Sequence, residues 1–422
     1  MASFRDKGKP PRALVAALIL LAFSIFINYV DRGNLGTAAS LVKNELNLSA
    51  TQLGFLLTAV FITYVPMQPI VGWLVDRFGG SRVLVGGFLI WSLATVLSGF
   101  AISFAALFAC RLLLGVGESV SFPGVSHVVA ELVPPRLLGF ANGITQSGLH
   151  YGPAFGVFIG GLLIAGHGWR WVFIVFGLCG LLWIPAWLYV SRRSEPLRQV
   201  EPRGEGPTMK QILQHRSLWG TSTAHFCGNF SNYFMLTWIP YYLVHERHWS
   251  LSQMAVIAGI TYLLGGTGQI VCGSLADVFI ARGFSATLVR KTSCGIGAVG
   301  FAGCMIGCAY SSDAASALWL MLAGALGSFQ GVNVYTISQT IAGPAATGRW
   351  VGVQNMLGNI SGLIAPALTG ILVDRTGNFI LPLLIVAGVA LCGGAAWIFM
   401  VGKCERYDWS SPESATPAVA AA

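Results

Sequence analysis

The sequence predicts an all-α membrane protein with twelve transmembrane helices in two pseudo-symmetric six-helix bundles. Three observations carry this expectation. Apolar residues make up 55% of the 422 residues and charged residues only 10%, with a mean hydropathy of +0.69; soluble domains carry about 25% charged residues. Apolar stretches of roughly 20 residues recur from end to end, each long enough to cross a ~30 Å hydrocarbon core. Distinctive residues also repeat at matching places in the two halves.

The spans fall near 13–37, 52–75, 83–102, 105–129, 138–165, 170–191, 217–244, 252–276, 288–310, 315–341, 349–373 and 379–401. The first follows Arg5, Lys7, Lys9 and Arg12. It is too long for the apolar core of a cleaved signal, so it reads as a retained helix. A membrane barrel would need short alternating strands, so the spans read as helices. Lys and Arg gather in the loops on the side of the N-terminus, while the other side holds Lys43, Arg170, Arg247 and Arg375. This bias puts both termini in the cytoplasm. It also accounts for the net charge of +9 without nucleic acid.

The longest polar stretch, 192–216, is a cytoplasmic linker. It separates an N-terminal six-helix bundle, 1–191, from a C-terminal one, 217–404; residues 405–422 form a cytoplasmic tail. The end of that tail, SSPESATPAVAAA, has the composition of disordered chain. The linker is too short to hold a soluble sensor domain. Of the nine cysteines, eight lie in apolar segments, and no CxxC or Cys/His spacing occurs. Free thiols are expected, with no metal site and no disulfide framework.

The repeat is strongest in the fifth and eleventh segments. There Arg136 matches Arg349, Gly139 matches Gly352, Asn142 matches Asn355, Gln146 matches Asn359 and Pro153 matches Pro366. After the second and eighth segments, Gly72 and Asp76 recur as Gly273 and Asp277. A duplicated six-helix unit handles its ligand between the halves.

Four charged residues stand inside apolar spans: Asp31 and Arg32 in the first, Arg111 and Glu118 in the fourth. Each costs roughly 2.5–3.5 kcal/mol to insert and marks a functional site by default. Arg111 and Glu118 are two helical turns apart, about 10 Å along the axis. The first segment runs outward and the fourth inward, so Asp31, Arg32 and Arg111 can meet at similar depth. Two acids and two bases suggest the handling of protons and an anion. The planar fork of Arg32 suits a substrate carboxylate. Asp31 and Glu118 are the protonatable carriers, and Arg111 partners one of them. A purely structural ion-pair cluster is the alternative, and lipid supports such clusters poorly. No nucleophile–base or metal constellation points to an enzyme.

The run GWLVDRFGGSR, Gly72–Arg82, resembles the loop motif of the major facilitator superfamily, and RLLLGVG, Arg111–Gly117, resembles its fourth-helix motif. NYVDRGNL, Asn28–Leu35, and GESVSFP, Gly117–Pro123, resemble the anion:cation symporter family, which includes bacterial galactonate and hexuronate transporters, sialin and the vesicular glutamate transporters. The resemblance covers nearly the whole chain. It implies proton-coupled import of a small organic anion by alternating access, the anion being a sugar acid such as a hexonate, hexuronate or aldarate. Relatives also carry aromatic acids such as phthalate. Proton-antiport export of drugs or metabolites is the rival reading. The resemblance further implies a monomer in the inner or plasma membrane. It would need no cofactor beyond the proton gradient, and its partners would be the anion, protons and lipid. Asp76, Arg77, Arg82 and Asp277 correspond to a conformational lock. Gly80 stands where a second base is common, and VFIARG after Asp277 makes the second copy poorer.

Other polar residues are less telling. Tyr29 and Tyr64 are expected to face the cavity. Gln146, Asn355 and Asn359 suit sugar hydroxyls, but they and Asn142 equally suit hydrogen bonds between helices. His150 and His225 read as packed histidines. GLHYGPAFG, Gly148–Gly156, resembles a drug/proton antiporter motif, although Pro153 and the small residues explain a bend and close packing as well. Trp238, Tyr241 and Tyr242 form an interface belt or a gate.

Overall fold

The computed structural model describes residues 11–194 and 206–409. Its first half comprises α1 (Arg12–Glu45), α2 (Ala50–Phe78), α3 (Gly80–Ser98), α4 (Phe104–Glu118), α5 (Ser121–Leu132), α6 (Leu138–His167) and α7 (Trp169–Ser194). A short α8 (Met209–Gln214) precedes α9 (Arg216–Tyr241), α10 (Leu251–Ala281), α11 (Ala286–Tyr310), α12 (Asp313–Gly331), α13 (Asn333–Ala342), α14 (Thr347–Thr376) and α15 (Ile380–Ala395). The pairs α4–α5 and α12–α13 are each one rod with a short break, so twelve rods make up the fold. Eleven are apolar and long enough to cross a membrane. The twelfth, α9, has 26 residues and the required length. Ser217, Thr221, Ser222, His225 and Ser231 on its buried face lower its apolar content.

Local chemistry starts these helices. Ser49 with Gln52 and Ser250 with Gln253 form reciprocal capping boxes at α2 and α10, equivalent places in the two halves. The region expected to be linker holds α8, begun by a third box of Thr208 and Gln211. Its middle, 195–205, lies outside the described residues, as does the tail end, 410–422. The start of the tail is docked. The Tyr407 N–H donates to the Ile341 carbonyl at 3.0 Å, and Trp409 Nε1 donates to that of Ala342 at 3.0 Å. The His215 ring packs 4.5 Å from that of Tyr407.

Within each half, α1 packs on α6 and α7, and α9 packs on α14 and α15. Between the halves, α2 crosses α14 and α6 crosses α10. Glycine permits both crossings. A Cβ on Gly72 would fall on the Gly348 carbonyl, and one on Gly139 would fall on that of Gly273. These cross-half contacts gather on the side of the termini. Farther from it the halves still touch at Tyr64–Asn355, Tyr151–Thr267 and Phe61–Tyr233.

The repeat register differs by one helical turn from the sequence match. α6 starts at Leu138 and ends at His167, and α14 starts at Thr347 and ends at Thr376. Gln146 therefore corresponds to Asn355, and His150 to Asn359. Residues four apart share a helix face, so a slip of one turn keeps every side chain facing the same way.

On the side away from the termini, the Glu45 carboxylate accepts from Trp169 Nε1 at 2.6 Å and Arg170 Nη2 at 2.7 Å. Arg170 Nη1 also donates to the carbonyls of Gly99 and Ala101. The Trp169 and Arg170 hydrogen bonds hold the Glu45 carboxyl below the usual range. A depressed folded value stabilises above the ordinary Glu range and is lost as pH falls through it. Glu45→Gln is expected to lower the melting temperature slightly at neutral pH and to flatten its acid limb. An unchanged acid limb would show that the cluster contributes nothing measurable.

Candidate functional site

The charged residues are placed by a break in a helix and by close glycine contacts. Gly115 of α4 lies against the Val60 carbonyl and Thr63 of α2, and Gly117 lies against the backbone of Trp91 on α3. Thr63 Oγ1 donates to the Leu112 carbonyl at 2.7 Å. These contacts draw α4 into the bundle. It ends at Glu118, and α5 restarts at Ser121 with Pro123 in its first turn, where a missing N–H costs little. Glu118 is thus the last residue before the break and is fully buried.

Arg32 Nε donates to Glu118 Oε2 at 3.0 Å; the two side chains are 13% and 0% exposed. Its guanidinium carbon lies 4.6 Å from the ring centroid of Tyr64, 5.0 Å from that of Tyr29 and 6.0 Å from that of Phe61. Such faces stabilise a buried cation. Nη1 and Nη2 of Arg32 are buried without hydrogen-bond partners, as is Oε1 of Glu118. Successive helical residues point about 100° apart, so Asp31 faces a different way. It accepts from Asn34 Nδ2 at 3.0 Å. Arg111 stands over the Phe173 ring at 5.3 Å and senses the charges of Glu118 and Asp31. Among the described residues it forms no direct ion pair: seven residues along α4 put Glu118 about 10 Å away along the axis, and Glu118 pairs with Arg32 on α1 instead.

Beside this cluster, between the halves, is a cavity of about 150 Å³. That is room for on the order of ten waters. Tyr29, Gln146, Asn355 and Asn359 line it, as do His150 and His225. Arg32, Asp31, Glu118 and Arg111 are not on its wall; Arg32 lies one side chain behind Tyr29. Tyr64 is also off the wall, engaged by Asn355 Nδ2 at 3.1 Å. Asn355 Oδ1 accepts from Tyr335 and from Asn359 Nδ2, each at 3.0 Å, and Asn359 Oδ1 accepts from Tyr233 at 2.7 Å. This chain joins the Arg32 cage to the second half. Asn142 is used otherwise, in a reciprocal amide pair with Gln339 on α13 at 2.7 and 3.2 Å. The part-exposed Trp238 donates to the Pro366 carbonyl, and the buried Tyr242 donates to that of Cys308.

Two aspartates cap helices across the halves. Asp76 accepts from the N–H groups of Gly348 and Arg349 and from Arg349 Nε, at 2.7, 3.0 and 2.8 Å. Asp277 accepts from the N–H groups of Gly139 and Phe140 at 3.0 and 2.8 Å. Each binds the first turn of the opposite helix, where the backbone donors are free and the dipole favours an anion. Arg290 Nη2 lies 3.5 Å from Asp277, so the second copy has its own cation despite its poorer sequence. His127 lies 3.9 Å from Asp76. Arg77 instead lies over Trp73 and Phe78.

The sequence reading missed Arg290, His127, Tyr233 and Tyr335. Arg290, near the start of an apolar segment, was indistinguishable from a loop charge. The two tyrosines look like ordinary core aromatics until α9 and α13 are placed beside α14.

Losing one partner of a buried pair costs about 3–5 kcal/mol. Asp76→Ala is therefore expected to loosen the termini-side contact. The readout is labelling of a Gln339→Cys probe by an impermeant thiol reagent, with the natural cysteines removed. The rate should rise roughly tenfold or more; an unchanged rate would restrict Asp76 to helix capping.

A profile described as Major Facilitator Superfamily matches residues 21–366. The chain is 30% identical over 437 residues to the probable galactarate/D-glucarate transporter GarP of Escherichia coli (strain K12), covering 96% of this chain and 98% of that protein. It is 30% identical over 419 residues to the hexuronate transporter of Bacillus subtilis (strain 168), covering 94% and 98%. It is also 30% identical over 405 residues to the probable sulfoacetate transporter SauU of Cupriavidus necator, covering 92% and 94%. Among solved structures it resembles FucP, a transporter crystallised in the outward conformation, with a TM-score of 0.73 and 14% identity over 93% of this chain and 100% of that one. The chain belongs to the major facilitator superfamily and is a multi-pass membrane transporter, not an enzyme.

Proposed function

We propose that this transporter imports a small organic anion, a sugar acid, together with protons, by alternating access and with both termini in the cytoplasm. One observation carries the reading. Arg32 sits one side chain behind a cavity that carries the amides of Gln146, Asn355 and Asn359 on its wall, bound to Glu118 through Nε alone, with both terminal nitrogens unpaired. That open fork matches a carboxylate, which accepts two parallel N–H bonds.

Charge counting supplies the coupling. With Asp31 and Glu118 ionised, the two acids balance Arg32 and Arg111. An entering monoanion leaves one net negative charge in a low-dielectric interior, and a proton on Glu118 restores neutrality. The same proton releases Arg32 from Glu118, so the guanidinium can turn past Tyr29 to the anion. Anion and proton therefore bind cooperatively. Asp31 offers a second proton site, which suits a dianion. The Gln146 amide can donate to and accept from hydroxyls, and those of Asn355 and Asn359 can do so by exchanging their bonds to Tyr64, Tyr335 and Tyr233, which favours a hydroxylated acid over an aromatic one. The relatives named for galactarate, glucarate and hexuronate support that class.

Uptake into proteoliposomes, with internal pH recorded, tests the proposal. Sugar acids should carry protons inward; no acidification with any sugar, aromatic or dicarboxylic acid would reject symport. Arg32→Ala should reduce uptake at least a hundredfold, since an unpaired bound carboxylate forfeits a charge-assisted bidentate contact. Undiminished uptake would remove Arg32 as the receptor. Glu118→Gln should impair proton-driven accumulation more than anion-for-anion exchange; an equal loss in both would deny Glu118 the coupling role. Asp31→Asn should change the pH profile of uptake, and an identical profile would exclude it as a proton carrier.

A further inference from the structure

A second cavity, a groove of about 890 Å³, lies on the outward face of α11 and the end of the last rod. Transport does not call on it. Its termini-side end is polar, with Ser285, Thr287, Lys291 and Thr292. Toward the membrane midplane it is apolar, walled by Ile296, Val299, Leu326 and Ile398. Gly295 keeps it open: a Cβ there would meet only Ile398 Cδ1, at 3.4 Å.

Lys291 is held by an irregularity of the last rod. Residues Ala396–Met400 form a π-helical turn. Lys291 Nζ donates to the carbonyls of Ile398 at 2.9 Å and Val401 at 2.6 Å. An ammonium has three donors, so one remains for another acceptor. Among the described residues no carboxylate pairs with Lys291, and its full charge stays at the mouth of the groove. Lys291 and Val299 are eight residues apart, about 12 Å along the helix. The groove therefore presents a fixed cation and hydroxyls at one end and hydrocarbon along the rest.

A soluble anion would leave the apolar length unfilled. A zwitterionic lipid would bring its own cation toward Lys291. We propose that this groove binds one anionic phospholipid from the leaflet on the side of the termini. Its phosphate lies against Lys291 and Thr292, and an acyl chain runs over Gly295 toward Val299. Basic pockets between helices at this depth recognise anionic headgroups in this way.

Native mass spectrometry of the purified chain, with equal amounts of phosphatidylglycerol and phosphatidylcholine, tests the site. Retention of phosphatidylglycerol should exceed that of phosphatidylcholine about fivefold, the factor expected for one lysine near the surface. Lys291→Gln should erase the preference. Gly295→Leu, which fills the groove and keeps the charge, should reduce retention of the bound lipid. Inorganic phosphate should not compete. Equal retention of the two lipids by the parent, or a preference surviving Gly295→Leu, would overturn the proposal. Displacement by inorganic phosphate would also overturn it, assigning the charge to a soluble anion. If Lys291→Gln fails to fold, Gly295→Leu alone decides.

Discussion

The buried pair of Arg32 and Glu118 sets conditions on much of its surroundings. An ion pair in a membrane interior is tolerated only when its geometry is good and its neighbours are polar or polarisable. Here the pair sits at the end of a helix. α4 ends at Glu118, and glycines at 115 and 117 bring that end close to α2 and α3. The rings of Tyr29, Tyr64 and Phe61 then line Arg32. Tyr64 passes the connection to Asn355 and so to the second half. The pair is thus linked by direct contacts to residues on both sides of the cavity.

The duplicated unit has been divided between two tasks. Counting three residues back from each restart of the broken rods, at Ser121 and Asn333, gives Glu118 in the first half and Gln330 in the second. Gln330 lines the cavity and carries no charge. The first half therefore holds the four charges beside the cavity, while the second lines it with neutral side chains, Gln330, Asn355 and Asn359 among them. The termini-side crossings stayed alike: Asp76 and Asp277 each cap the first turn of the opposite helix. Their cations come from different elements, Arg349 on α14 itself and Arg290 on α11.

Capping explains why an aspartate is needed at both places. Free backbone N–H groups at a helix start must find an acceptor, and a carboxylate on the opposite bundle supplies one only while the two halves stay closed. Glycines at 72, 139, 273 and 348 let the backbones approach far enough for these bonds to form. Close packing and ionic capping are two aspects of the same crossing.

The sequence alone determined the class, the number of rods and the four charges, Asp31, Arg32, Arg111 and Glu118, that stand deep in the first and fourth spans. Hydropathy, helix length and insertion cost are properties of local composition, so they can be read without a fold. It also singled out Asp76, Asp277, Asn355 and Asn359, because their chemistry is unusual where they stand. Pairing was decided only in three dimensions. Arg32 rather than Arg111 meets Glu118, because seven residues along α4 separate Arg111 from Glu118 by about 10 Å, while α1 brings Arg32 across to the end of α4. Asn142 goes to Gln339 and Asn355 to Tyr64, although both amides look equivalent in the chain. The repeat register slipped by one turn because side chains four apart share a face, and only the helix starts distinguish the two alignments. Arg290 finds Asp277 where α10 and α11 meet, and the groove at Lys291 arises where α11, α12 and the last rod converge; no single segment contains that information.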